Sequence, residues 1–353
     1  MKSQIIFCVI LCLALGCSKQ QQAPSSILPF TVTKVLTPET QELDDIRSQV
    51  SAFIKAKDYN KLDELAAKLR SSKEHYADGF WKLSEVYYTL NVSNNIYGIA
   101  MSYTIPDTLF ENRLSELQDW INAKPDSITA RLAFASVQID YAWNARGGGW
   151  ANTVTDKGWQ LLSERLNEAA KTLREAGNMK EKCPVYWTLM TSLMVGMQLP
   201  KEQLNDIFNQ AITYEPDFAG FYVSRANYLL PRWYGDQGEW ENDLAKSADK
   251  RGGDDGDALY AQVIWRLNRS TAFDNIFQDN NLSWPRVKKG LEVLERRYPN
   301  SLAVKNEGAY LAIVARDAQA AREFFDDTKG QMDNTIWKSQ YEFRSYATYA
   351  YTH

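Results

Sequence analysis

Histidine is almost absent from this sequence, since the 353 residues include only His75 and His353. Histidine is the side chain best suited to act as a general base near neutral pH. The sequence also contains no His-Glu-x-x-His, Gly-x-Ser-x-Gly or phosphate-loop pattern, and zinc would lack ligands because Cys183 stands alone. We therefore expect no enzyme, no metal and no cofactor. A carboxylate pair drawn from distant positions stays open as an exception.

Cysteine is scarce as well, and three of the four cysteines lie within the first 17 residues. Only Cys183 lies in the rest of the chain, so a chain cleaved near residue 16 has no internal disulfide. Its fold must be held by a hydrophobic core, for which the length suffices.

A charge excess of one sign is also lacking. The 40 lysines and arginines nearly balance the 44 aspartates and glutamates, which gives a net charge of −4. The basic residues are scattered rather than clustered, which argues against a nucleic-acid partner.

The first 26 residues have the pattern of an export signal followed by a flexible tether. A lysine precedes an apolar run from Ile5 to Leu15, which is too short to cross a bilayer as a permanent helix. Residues 18–26 are serine, lysine, glutamine, alanine and proline, a composition typical of a linker. An ordinary secretory signal cut near Gly16 and an uncleaved N-terminal anchor are the alternatives.

Residues 13–17, Leu-Ala-Leu-Gly-Cys, resemble the lipobox of bacterial lipoproteins. The resemblance implies a signal peptide over residues 1–16 and a lipidated Cys17 as the first residue of the mature protein. Two or more acyl chains attach a protein stably to a membrane. In a source with two membranes, Ser18 in place of an aspartate implies the outer membrane, facing the periplasm.

Helical periodicity runs through the chain from Pro38 onward. Thr37, Pro38 and Glu39 provide a cap, a proline at the first helical position and an acid in the first turn. Apolar residues then recur at i, i+3, i+4 and i+7 in one segment after another, without a comparable alternating run of β-branched residues. We expect a lipidated cysteine and flexible tether over residues 17–37, followed by an all-α domain over residues 38–353 with about a dozen helices or more.

Three predicted helix junctions share one pattern. At Pro125, Pro216 and Pro299 a proline is followed by Asp or Asn, with apolar residues eight and five positions earlier and an alanine ten positions later. The pattern resembles tetratricopeptide-like helical hairpins. The prolines are not separated by multiples of the usual repeat of about 34 residues. We therefore expect an irregular solenoid of antiparallel hairpins. The alanines, which would permit close helix crossings, are Ala135, Ala226 and Ala309.

Two aromatic segments, residues 141–159 and 230–241, interrupt the helical pattern. Three consecutive glycines must break the helix in the first segment. Together they resemble an uncharacterised bacterial family known as a domain of unknown function, over roughly residues 81–265. The resemblance implies a helical-repeat fold and supplies no information on activity. The motifs that carry it are Ala-Trp-x-x-Arg-Gly-x-Gly at 142–149, Gly-Trp at 158–159 and Leu-x-Pro-Arg-Trp-x-Gly at 229–235.

These segments also contain the candidate binding residues. Arginine and aromatic side chains are over-represented where proteins bind partners, and the planar guanidinium suits a carboxylate. The alternative is that the aromatic rings only fill the core and that each arginine pairs with a local acid such as Asp140 or Glu241. The candidates are Arg146, Trp150, Arg232, Trp233 and Tyr234.

Residues 252–257, Gly-Gly-Asp-Asp-Gly-Asp, resemble a calcium loop but lack the downstream glutamate that such a loop needs. A helix C-cap followed by an acidic helix start explains them better.

The expected function is therefore that of an exported, membrane-tethered helical-repeat protein that binds a protein or peptide partner. A carbohydrate-binding or glycoside-active envelope lipoprotein, with exposed Trp and Tyr rings and a carboxylate pair, is the alternative. Exposed rings at Trp150, Trp233 and Trp240 would favour a sugar ligand, whereas buried rings would favour a structural role. An envelope scaffold without a small ligand is the third reading.

Overall fold

The computed structural model describes residues 28–93, 105–269 and 273–353. The expected signal peptide, Cys17 and residues 18–27 of the expected tether lie outside the described residues. The prediction of an all-α chain is confirmed, since 72% of the structure is helical. The described residues form sixteen α-helices and one pair of three-residue strands. None of these helices combines the length and apolarity needed to span a membrane.

The first ten helices are α1 (Pro38–Lys55), α2 (Tyr59–Ser72), α3 (Leu83–Leu90), α4 (Asp107–Ala123), α5 (Ile128–Arg146), α6 (Asp156–Asn178), α7 (Val185–Met197), α8 (Lys201–Tyr214), α9 (Ala219–Tyr228) and α10 (Glu239–Arg251). The remaining six are α11 (Gly253–Asn268), α12 (Ile276–Asp279), α13 (Trp284–Arg297), α14 (Leu302–Val314), α15 (Ala318–Thr328) and α16 (Gln340–Thr352). The strands are β1 (Thr33–Val35) and β2 (Gln331–Asp333), and a short 3₁₀ helix spans Ala151–Thr153.

Helix α1 begins where the sequence predicted. The Thr37 hydroxyl accepts a hydrogen bond from the backbone N–H of Thr40 at 3.0 Å, and Pro38 occupies the first helical position. Both features satisfy or remove N–H donors that the helix itself leaves without a partner.

Two kinds of helix build the repeat. Helices α5, α7, α9 and α11 pack side by side, each against the next, and α5 and α11 bury residues around most of their circumference. Helices α4, α6, α8 and α10 each precede one of these helices in sequence, pack against it, and bury only part of their own surface. An amphipathic helix covers a neighbour with its apolar stripe. The chain therefore alternates between an inner row and an outer layer, as expected for stacked helical hairpins.

The three proline junctions connect α4 to α5, α8 to α9 and α13 to α14. Ala135, Ala226 and Ala309 are buried in the second helix of each pair. The Asp or Asn that follows the proline does not cap the next helix at the first and third junctions. The caps are the Ser127 and Ser301 hydroxyls, which accept from backbone N–H groups of their own helices, whereas the preceding Asp or Asn lies in the turn.

The N-terminal strand changes the expected boundary at Pro38. Strand β1 pairs in parallel with β2, so that Thr33 lies opposite Gln331. Phe30 packs edge-to-face on Phe343, with ring centroids 6.4 Å apart. Residues 28–37, which the sequence analysis assigned to the tether, are thus held against the C-terminal helices by strand pairing and aromatic packing.

The segment before α3, residues 77–81, packs against two helices of the inner row, α9 and α11. The side-chain amide of Gln262 in α11 donates to the Ala77 carbonyl at 2.9 Å, and Arg266 forms an ion pair with Asp78 at 2.8 Å. Trp81 is buried against Phe218 at the start of α9. A partner site therefore has to be sought on a different surface from this one.

Candidate functional site

A cavity of about 430 Å³ lies between the end of α5, the start of α6, the end of α7 and the turn that follows α9. Each of the five candidate residues from the sequence lines it, so the fold brings residues 146–150 and 232–234 to one place. The other principal lining residues are Trp143, Trp159, Leu162, Val195 and Gln198.

The end of α5 shapes the first wall. Gly147 has φ of 75°, a conformation that favours glycine, and its N–H donates to the Trp143 carbonyl at 3.0 Å. The Arg146 guanidinium then donates from Nη1 to the carbonyls of Gly147 and Gly149, each at 3.0 Å. The arginine therefore fixes the glycine loop through the loop's own backbone.

The Gly-Trp motif positions the start of α6. The Thr155 hydroxyl caps this helix by accepting from the Gly158 N–H at 3.0 Å. A Cβ at Gly158 would lie 3.1 Å from the Ala145 carbonyl oxygen, so glycine lets α6 approach α5 closely. The next residue, Trp159, places its ring 5.2 Å from the Arg146 guanidinium carbon, within cation–π range.

The second segment turns sharply after α9. A Cβ at Gly235 would overlap the Leu229 carbonyl, which explains why glycine ends this motif. Tyr234 is held from two sides, because its hydroxyl donates to the Val195 carbonyl at 2.7 Å and its ring stacks on Tyr228 at 4.9 Å. These contacts attach the turn to α7 and to α9.

The two segments meet through their tryptophans. The rings of Trp143 and Trp233 pack edge-to-face, with centroids 5.6 Å apart. The buried Trp233 indole N–H has no hydrogen-bond acceptor among the described residues. A second hollow of about 190 Å³ adjoins the cavity, since both are lined by Trp143, Val195 and Trp233. Its polar lining residues are Thr191, Ser192, Ser224 and Asn227.

The arginines of the cavity have no carboxylate partner within the described chain. Asp140 and Glu241, the acids proposed as local partners, accept instead from backbone N–H groups. Partial burial lowers the pKa of the Arg232 guanidinium. Burial raises the pKa of Tyr234, and the positive charge of Arg146 opposes that rise.

The three tryptophans chosen to distinguish a sugar site from a structural role differ in exposure. Trp150 is 78% exposed, Trp233 is half-buried, and Trp240 is 0% exposed. The Trp240 indole N–H donates to the Asn280 side chain at 3.1 Å, so this residue belongs to the core. Only Trp150 presents an open ring at the cavity.

The acidic run at 252–257 forms a helix junction, as expected. Gly252 has φ of 72° and separates α10 from α11. Asp254 and Asp255 in the first turn of α11 pair with Arg296 and Arg297 of α13, at 2.8 and 2.5 Å. No group of three or more side chains suited to a metal ion occurs in the described ranges.

Sequence reasoning missed the contribution of α7. Val195, Gly196 and Gln198 line the cavity, and Gln198 ends the helix in a left-handed conformation with φ of 56°. The apolar sequence of α7 carries no motif, and only the tertiary packing shows that its C-terminal turn faces Arg146. The one feature of the sequence that pointed to this contribution is the polar Gln198 directly after the apolar helix α7.

Comparison with known families matches residues 46–182 to a domain of unknown function, DUF4034. The match covers less than half of the chain, begins within α1 and ends before α7. It includes the glycine loop and the Gly-Trp motif but excludes the turn at 229–235, whereas the resemblance drawn from the motifs placed the similarity at roughly residues 81–265. No curated protein matches the chain. The chain is thus similar, over residues 46–182, to an uncharacterised domain family that supplies no activity.

Proposed function

We propose that the protein is an exported, lipid-anchored protein with tetratricopeptide-like hairpins that binds a protein or peptide partner at the cavity of Arg146, Trp150, Arg232, Trp233 and Tyr234. The observation that carries the proposal is the pair of arginines without a carboxylate partner in an aromatic cavity. Arginine and tryptophan are the residues most enriched among the energetic anchors of protein interfaces.

Binding fits the cavity better than catalysis does. Its lining contains no carboxylate, imidazole, amine or thiol among the described residues. The Tyr234 hydroxyl is already committed to the Val195 carbonyl. The site therefore offers positive charge and apolar surface but no group suited to proton transfer or nucleophilic attack.

The proposed anchor agrees with the position of the N-terminal strand. Lipidated Cys17 and a short tether would precede β1, which pairs with β2 near α16. The cavity belongs to different helices, α5 to α7, and to the turn after α9. A tether attached beside the C-terminal helices leaves this cavity free to meet a partner at the surface of the membrane, the outer membrane where the source has two.

Carbohydrate binding is the second candidate function. The observation that favours it is the 78% exposed Trp150 ring beside Arg146, because an open aromatic face can stack on a sugar. Among the described residues that line the cavity, Gln198 is the one amide side chain, and further hydroxyl and amide groups lie in the adjoining hollow.

Site-specific photo-crosslinking tests the proposed function. A photoreactive phenylalanine analogue placed at Trp150 in the full chain, in its own membrane fraction, should give a discrete crosslinked protein. The crosslink should fade in the Arg146→Gln/Arg232→Gln double variant and persist in Arg296→Gln, which removes an exposed arginine of α13. The same analogue at the exposed Tyr341 of α16 serves as the positional control. Absence of any crosslink at position 150, or equal yields in all variants, would refute partner binding at this cavity.

A further inference from the structure

The two arginines of the cavity belong to the minority of arginines that form no ion pair among the described residues. Twelve other arginines of the described residues form an ion pair with an aspartate or glutamate. Six form none, although aspartate and glutamate are abundant and the net charge is negative: Arg146, Arg174, Arg232, Arg316, Arg322 and Arg344. Of these six, Arg146 and Arg232 line the same cavity. The fold thus leaves two guanidinium groups unneutralised at one cavity.

Arg146 is oriented before any ligand arrives. Its Nη1 bonds to the carbonyls of Gly147 and Gly149 hold one edge of the guanidinium, and Trp143 and Trp159 lie within 5.6 Å of its central carbon. Five N–H donors are available on a guanidinium, so the other edge keeps donors for an incoming group. A planar guanidinium held in this way can donate two parallel hydrogen bonds to a carboxylate.

Arg232 stands at the rim and is weakly held. Among the described residues, its one hydrogen bond runs from Nη2 to the Asn227 side-chain oxygen at 3.4 Å. Its central carbon lies 5.9 Å from the centre of the Trp233 ring. Partial desolvation without a counter-charge leaves a cation that a negatively charged ligand would stabilise.

The remaining walls of the cavity indicate which chemical groups of the ligand lie next to its negative charge. Trp143, Trp159, Leu162 and Val195 present apolar walls, and no acidic side chain among the described residues lines them. The adjoining hollow supplies hydroxyl and amide groups from Ser192, Ser224 and Asn227, among others, which suit the polar backbone of an extended peptide.

We infer that the cavity recognises one carboxylate of a partner peptide, together with an apolar side chain next to it, and that Arg146 and Arg232 are the residues that bind the carboxylate. This inference rests on the proposed partner binding at the same cavity. The carboxylate comes either from the C-terminus of the peptide or from an aspartate or glutamate side chain, and the two sources are separable by experiment.

Calorimetric titration of the full chain with three pools of N-acetylated pentapeptides separates them. Each pool has mixed neutral residues at the first three positions and leucine last. The first pool has a neutral fourth residue and a free terminal carboxylate, the second has the same fourth residue and a terminal amide, and the third has glutamate at the fourth position and a terminal amide. At least one carboxylate pool should bind roughly tenfold or more tightly than the neutral amide pool, because charge-assisted hydrogen bonds are lost in the latter. The tighter of the two carboxylate pools identifies the source.

Charge-neutral variants assign the binding to the two arginines. Arg146→Gln keeps a donor for the glycine carbonyls and Arg232→Gln keeps one for Asn227, so each preserves the loop contact and removes the charge. Each should weaken binding of the carboxylate pool roughly tenfold or more and lower its salt dependence, whereas Arg296→Gln should change neither.

Two results would overturn the inference: the neutral amide pool binds as tightly as both carboxylate pools, or no pool binds. If the photo-crosslinked partner at position 150 persists while either result is found, the proposed function stands and only the carboxylate recognition is wrong. If the crosslink is absent as well, both are wrong.

Discussion

Replacing Glu307 by glutamine should stabilise the folded protein at pH 8 and change its stability much less at pH 5. Glu307 lies in α14 with a fully buried side chain. One carboxylate oxygen lies 3.2 Å from Nε of Arg269, yet neither oxygen accepts a well-formed hydrogen bond from the described residues. Burial raises the pKa of this carboxyl to about 7, against the opposing attraction of Arg269, and the negative charges of Asp78 and Asp333 add to the rise.

The magnitude follows from the difference in proton affinity between the folded and unfolded states. The ordinary pKa of a glutamate is 4.5, whereas that of folded Glu307 is about 7. One unit of pKa corresponds to about 1.4 kcal/mol, so ionising the folded protein costs about 3 kcal/mol of unfolding free energy. The folded state holds the proton more tightly, so this stability is present below about pH 4.5 and is lost as the pH rises through 7.

Glutamine resembles the protonated carboxyl in shape and cannot ionise, so the variant should keep this stability at high pH. Arg269 would not be left unpaired, because it also donates to the carbonyls of Thr335 and Ile336 at 3.2 and 3.0 Å. Urea unfolding of parent and variant at pH 5, 6.5 and 8 measures the difference. Glu168→Gln, which removes an exposed carboxylate paired with Lys171, should give no pH-dependent gain. A difference between parent and Glu307→Gln that is constant with pH, or a less stable variant at pH 8, would refute the reasoning.

Three further predictions concern packing and the anchor. Ala309→Leu should lower the unfolding free energy by about 1–3 kcal/mol, because the added volume has no space at a fully buried position. Ala67→Leu, on an exposed face of α2, should be nearly neutral. Equal urea melts for the two variants would contradict the close packing at Ala309. Gly235→Ala should lower the unfolding free energy measured by urea melts, since its Cβ would overlap a backbone carbonyl. Gly148→Ala, which has open space around it, should leave the unfolding free energy within about 0.5 kcal/mol of the parent value. Cys17→Ser should release the protein from membranes and abolish acyl labelling, and retention of both would rule out lipidation at this position.

The elements predicted well from the sequence are those governed by local rules. Thr37 fixes the start of α1 because its hydroxyl accepts from the backbone N–H of Thr40, within the first turn. Pro38 favours the same start because it has no N–H that would need a partner. The prolines at 125, 216 and 299 end helices because proline has a fixed φ and no N–H, which does not depend on tertiary contacts. The all-α class followed for the same reason, because the apolar periodicity is written within each helix.

The features that were not predicted depend on residues far apart in sequence. Strand β1 is held by β2, almost three hundred residues later, and Asp78 is held by Arg266 of α11. The contribution of Gln198 to the cavity appears only once the end of α7 is placed beside Arg146. The missing acid partner of Arg146 and Arg232 is likewise a tertiary property, since nearby sequence offers Asp140 and Glu241, which the fold engages elsewhere.

The two aromatic segments nevertheless stood out in the sequence because they break the helical pattern, and the structure gives the physical reason. Glycine is required at 235, where a Cβ would overlap the Leu229 carbonyl, and a Cβ at Gly158 would be tightly packed against the Ala145 carbonyl. Arg146 bonds to the carbonyls of the glycine loop that follows it. These contacts build the cavity walls from the chain's own residues, so most of the entropy of ordering the walls is lost on folding. The exposed Trp150 ring has no such restraint from neighbouring side chains among the described contacts, so its ordering is the main conformational cost left for a ligand. A departure from local helix rules that is matched by specific tertiary contacts is what a preorganised binding site requires.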